Sequence, residues 1–105
     1  MDKGINSTIE KYIHLIMSKQ LGINAAYLFG SYAQNFQNDE SDIDIALIVD
    51  NLNESDRFDL QVQLLMLASQ VDTRIEPHPI SSTEMNSHNS FAHQIMKTGI
   101  ALKLG

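Results

Sequence analysis

Leu28-Phe29-Gly30-Ser31, then ten residues, then Asp42-Ile43-Asp44-Ile45-Ala46-Leu47-Ile48-Val49: these two stretches decide the reading of the chain. The first closes a short apolar run, Ala25 to Phe29, which predicts a buried strand feeding a tight turn. The second begins in alternation and finishes wholly apolar, which predicts a central strand. Gly30 lets the backbone turn sharply and come close to a ligand. Ser31 stands where a short helix could start, so its hydroxyl and nearby amides can hold phosphate oxygens. Asp42 and Asp44 are two apart on a strand, so both carboxylates share one face while Ile43 and Ile45 turn to the core. Converging carboxylates repel unless a cation joins them, and Mg²⁺ bound this way shares its remaining positions between water and substrate phosphates. A Gly-Ser turn or an Asp-x-Asp strand edge is commonplace alone. Their order and spacing together carry the reading.

Outward from this centre the elements follow by pattern. Ser7-Thr8-Ile9-Glu10 spells a capping box, and Ile9, Ile13, Ile16 and Met17 recur at helical spacing up to Gly22. Ser55 can cap a second helix in which Phe58, Val62, Leu65 and Met66 share a face. Val71 to Ile75 reads as a strand halted by Pro77 and Pro79. Ser81-Ser82-Thr83-Glu84 is a second capping box, opening a helix through Lys97; Gly99 ends it, and Ile100 to Leu104 offers an edge strand. This order predicts an α/β (α+β) fold, a small mixed sheet with helices packed mainly on one face.

Composition bounds the rest. At 105 residues the chain reads as one domain, residues 1–105, with ordinary globular content and no repeat or linker. The absence of cysteine excludes disulfides and thiolate zinc sites. No signal pattern opens the chain and no apolar run approaches a membrane span, so a cytoplasmic location is expected. Thirteen acidic residues against 7 basic ones, a formal charge of −6, argue against stable nucleic-acid binding and suit a divalent metal or a basic partner. His88 and His93 are five apart and make no helical zinc pair. His14 reads as a surface residue, and His78 stays outside the site, with lining the nucleotide pocket as its minority reading.

Gly30-Ser31 followed by Asp42-Ile43-Asp44, with the flanking Leu-Phe-Gly-Ser-Tyr-Ala and Glu-Ser-Asp-Ile-Asp-Ile strings, resembles the polymerase-beta-like nucleotidyltransferases, and within them the minimal nucleotidyltransferases (MNT). The resemblance spans nearly the whole chain and implies that fold. It implies transfer of AMP from ATP to a hydroxyl acceptor with two Mg²⁺ ions, held by Asp42, Asp44 and a third carboxylate on a neighbouring strand. Val71-Asp72-Thr73-Arg74-Ile75 fits that place, so Asp72 is preferred as the third ligand and catalytic carboxylate. Glu76, expected on the same strand face, competes for the role. Gly30, Ser31 and Arg74 are the implied nucleotide-binding residues, although Arg74 could equally neutralise Asp72 or Glu76. Gln34-Asn35 departs from the Arg-Gly many members carry, which removes a cation near the phosphates. A chain this short also resembles the MNT antitoxins paired with HEPN toxins, which implies a HEPN-type partner protein. The alternative is a non-catalytic module of the same fold that neutralises a partner by contact.

Overall fold

The computed structural model describes residues 3–30, 32–33, 41–85 and 89–105. Ser31, Gln34, Asn35 and His88 of the sequence reading lie outside them. Helix α1 (Lys3–Ser18) is followed by strands β1 (Ile23–Phe29) and β2 (Ile43–Val49), then helix α2 (Glu54–Ser69) and strand β3 (Ile75–Ser81). Helices α3 (Ser82–Met85) and α4 (Ser90–Thr98) and the two-residue strand β4 (Ile100–Ala101) complete the order. The strands form one mixed sheet in the order β3-β2-β1-β4, with β2 and β3 parallel and the other pairs antiparallel.

The central strand explains this arrangement. Ile43, Ile45, Leu47 and Val49 are buried in the larger core under α1 and α2, whereas Ala46 and Ile48 face a smaller cluster with Ile80 and Ile95. Each fully buried Ile or Leu side chain is worth roughly 1.5–3 kcal/mol relative to exposure, so a one-residue slip of β2 is strongly disfavoured. From α1, Ile5, Ile9, Tyr12, Ile13 and Ile16 form the matching stripe. The Tyr12 hydroxyl donates to the Leu64 carbonyl at 3.1 Å, tying α1 to α2; burial pushes this phenol well above its ordinary value.

Several local expectations are corrected. α1 starts at Lys3, so Ser7 lies inside it and Thr8 donates to the Gly4 carbonyl as an internal residue. α2 is capped by Asn53, which accepts from the Asp56 amide, and Ser55 only donates to the Asn53 side chain. The apolar face that the spacing marks on α2 is its outer one. Phe58 (73% exposed), Val62, Leu65 and Met66 (64%) look outward, while Leu64, Leu67 and Ala68 pack inward. The second capping box forms as expected, with Glu84 accepting from the Ser81 amide, but it opens only α3; Asn89 caps a separate α4.

The third strand is displaced furthest from expectation. It begins where the sequence reading ended it and contains both prolines. β3 is an edge strand, and the carbonyls of Pro77 and Pro79 accept from Gln61 (2.6 Å) and Arg57 (2.9 Å) of α2. The missing proline N–H groups therefore fall on the edge that bonds no strand, where proline is tolerated. Arg57 also pairs with Glu84, which fixes the far end of β3 against α3.

Candidate active site

The strand register builds the site row by row. Asp44 of β2 stands opposite Phe29 of β1 on one side and Glu76 of β3 on the other. Behind this row come Tyr27, Ala46 and His78, with Ile48 and Ile80 further back. The same sheet face thus runs from acidic at the start of β2 to apolar under α4. The carboxylates remain at the open end because nothing in the smaller cluster could solvate them.

Gly30 bears directly on this row. It turns the chain out of β1 with φ +75°, a left-handed conformation that favours glycine. A Cβ added there would stand 2.5 Å from Asp44 Oδ2, so the glycine leaves room for the carboxylate as well as for the turn. Asp42 precedes β2 and its carboxyl lies close enough to act on Glu76. The Glu76 carboxyl is pushed above its ordinary value, by partial burial first, then by the neighbouring Asp42 carboxyl and the charge of Asp44, with His78 opposing. Such repulsion is what a divalent ion would relieve.

Among the described residues, one ligand atom each from Asp44, Glu76 and His78 lies within 4.8 Å of the others. Carboxylate oxygens dominate this set, which fits a hard divalent cation. Asp42 adjoins it through Glu76.

Asp72 is placed elsewhere. It lies in the turn before β3, not on the strand face, and Arg74 encloses it. Arg74 Nη2 donates to Oδ2 at 2.8 Å, and Arg74 Nε (3.1 Å) and its backbone amide (2.9 Å) donate to Oδ1. These bonds hold the Asp72 carboxyl below its ordinary value, and Asp72 is not in the metal-capable group. Arg74 Nη1 also reaches the buried Tyr32 hydroxyl at 3.3 Å, just beyond the Gly30 turn. The Val-Asp match favours Asp72 over Glu76 on sequence; the structure brings Glu76, not Asp72, beside Asp44. It also draws in His78 and the rings of Phe29 and Phe91. The available signal was the two-residue spacing Glu76–His78, which puts both on Asp44's face once the register is known.

A shallow cleft between α1 and the C-terminal residues, lined by Glu10, Ile13, His14 and Lys103, contains none of these groups. No described helix is long and apolar enough to cross a membrane.

Comparison with known proteins agrees with this fold. The family described as Polymerase beta, Nucleotidyltransferase matches residues 10–104. A search of curated proteins finds no match. Among solved structures, a candidate nucleotidyltransferase from Sulfolobus solfataricus superposes with TM-score 0.64 at 19% identity, covering 90% of this chain and 76% of that one. A toxin–antitoxin structure with AMP-PNP gives TM-score 0.61 at 27% identity, covering 90% and 72%. A tri-AMPylated HEPN toxin in complex with MNT antitoxin, from Shewanella oneidensis, gives 0.50 at 23% identity, covering 90% and 71%. The 19% and 23% matches speak to the fold alone.

Proposed function

Because the chain belongs to the polymerase-beta nucleotidyltransferase family, we propose that it transfers AMP from ATP to a hydroxyl of a HEPN-type partner protein, using Asp42, Asp44 and Glu76. The observation that carries this is the register placing Glu76 opposite Asp44 on the open sheet face, with Asp42 directly before that row. Mg²⁺ held by these carboxylates would neutralise triphosphate charge and polarise the phosphorus. The acceptor oxygen forms a bond to the α-phosphorus, the bond to pyrophosphate breaks, and the hydroxyl proton passes to a site carboxylate. Asp44 is fixed for this by the Gly30 turn and the contact with His78. Gly30 and Ser31 remain the nucleotide-binding residues in this reading, and Asp72 with Arg74 braces the strand entry rather than ligating metal.

The partner is supported by a second region. The outward stripe of α2, Phe58, Val62, Leu65 and Met66, is a larger apolar surface than isolated exposed residues present. Exposed Glu54, Asp56 and Asp59 lie at its N-terminal end and flank. A second copy would set these acids against each other, whereas a partner with a basic rim would pair with them. The 27% identical structure, itself a toxin–antitoxin assembly with AMP-PNP, is consistent with both parts of the reading.

Co-expression with the protein encoded beside it tests the whole. The expected result is a partner mass increased by AMP units with wild type and unchanged with Asp44→Ala, which should still bind. Met66→Glu should weaken partner binding while retaining the ATP-induced rise in Tm. Inhibition of the partner by both wild type and Asp44→Ala, without any mass change, would instead support the non-catalytic module.

A further inference from the structure

His78 has a place that three carboxylates do not account for. It follows Glu76 by two residues on β3, so the imidazole rises from the same face, one row behind Asp44. Its Nε2 lies 3.1 Å from Asp44 Oδ1. Phe29 meets the ring edge-on at 5.0 Å between centroids, and Phe91 of α4 approaches to 6.1 Å. The two rings, themselves 5.3 Å apart, wall the imidazole on the apolar side and leave Nε2 directed at the acids. A hydrogen bond to Asp44 would explain the 3.1 Å contact alone. The register of β2 and β3 brings a Glu76 oxygen within 4.8 Å of both partners, so one ligand atom from each can meet a single ion. Two neighbouring ligands of an ion with bonds of about 2.1 Å stand roughly 3.0–3.4 Å apart, so the Nε2–Oδ1 span is also the edge of a coordination shell.

We propose that His78 Nε2 is a metal ligand beside Asp44 and Glu76, so that this centre binds Mn²⁺ in preference to Mg²⁺. The inference rests on the acidic centre proposed above and deepens it. Mg²⁺ takes oxygen donors and keeps its waters, whereas imidazole suits first-row transition ions and carboxylates remain acceptable to Mn²⁺. One nitrogen in a carboxylate set therefore shifts selectivity without abolishing Mg²⁺ binding. The Phe29 and Phe91 rings pack against the imidazole and hold it at a fixed angle.

Pulsed EPR of the full chain loaded with Mn²⁺ reads the nitrogen directly. Wild type should show ¹⁴N coupling from one imidazole, and this should change to the ¹⁵N pattern when histidine is ¹⁵N-labelled. The coupling should vanish in His78→Asn and persist in His14→Asn and His93→Asn. Mn²⁺ affinity should fall by about 10- to 100-fold in His78→Asn, with Mg²⁺ affinity changed far less. Bound Mn²⁺ with oxygen-only coordination in wild type overturns the His78 assignment and leaves the carboxylate centre standing. Absence of any Mn²⁺ binding by wild type overturns both. The labelled wild-type measurement needs no variant to fold.

Discussion

The turn at Asp72–Arg74 and the strand at Glu76–His78 are consecutive, each pairing an acidic residue with a basic-type residue two positions on, yet they do opposite things. In the turn the pair closes on itself: guanidinium and backbone amide occupy both oxygens of Asp72. On the strand the pleat keeps Glu76 and His78 parallel and apart, so both face Asp44 across the sheet. One carboxylate finds its counter-charge locally. The other meets two more carboxyl groups and is held above its ordinary value. Side-chain identity at i and i+2 is therefore a poor guide to chemistry until the backbone conformation between them is known.

The largest effect that could break this contrast is on transfer. Glu76→Gln is expected to lower AMP transfer by on the order of 10³-fold, the rate equivalent of the several kcal/mol a metal clamp supplies. Asp72→Asn should stay within a few-fold of wild type. Labelled-ATP assays on the two variants decide it, and the reverse ranking would return Asp72 to the site.

Gly30→Ala sharpens the comparison from the other side. The left-handed φ alone costs roughly 1–2 kcal/mol for a residue with a Cβ, readable by urea unfolding. The Cβ must also displace Asp44 Oδ2. Metal affinity should therefore fall by tenfold or more, as for a disturbed ligand shell. A variant that loses stability but keeps metal affinity would show that Gly30 serves only the turn.

The smallest effect is in stability against pH, and here the two carboxylates should differ in sign. Asp72 is lowered from 3.8, so its pair stabilises the fold above that pH, and the contribution is lost as pH falls through the lower folded value. Asp72→Asn should cost about 0.5–1 kcal/mol at pH 7, with the deficit shrinking in acid. Glu76 is raised from 4.5, so its favourable state is the protonated one, and that contribution is lost as pH rises through the folded value. Metal-free Glu76→Gln should then melt about 2 °C above wild type at pH 7, the gap closing below pH 4.5. Saturating divalent metal should reverse the order. Equal and same-sign shifts for both variants would remove the distinction.

Much of the candidate centre's placement was legible along the chain because it is local. Gly30 and Asp44 need only a turn and a strand, and β2's apolar run fixes which face Asp44 takes, with Asp42 just before the strand. The α2 stripe was legible as a stripe, but helical period cannot say which of two apolar faces the sheet will cover. Asn53 displaced the expected Ser55 cap because an Asx side chain one residue before the first turn reaches its amides directly, and Asn89 likewise caps α4, which the pattern alone merged with α3.

By itself, then, the sequence determined the class of fold, the glycine turn, the aspartate pair at the entry of the central strand and the acidic net charge. Tertiary structure decided which later residues join that pair. Pro77 and Pro79 argue against a strand in isolation, but as the edge beside α2 they cost no ladder bonds, and this lets β3 run parallel to β2 through residue 81. Only that register sets Glu76 opposite Asp44 and His78 behind it, while Asp72 stays in the turn with Arg74. Pairing between strands thirty residues apart depends on which edge has free donors and acceptors and on what covers each face. Neither is a property of any local stretch.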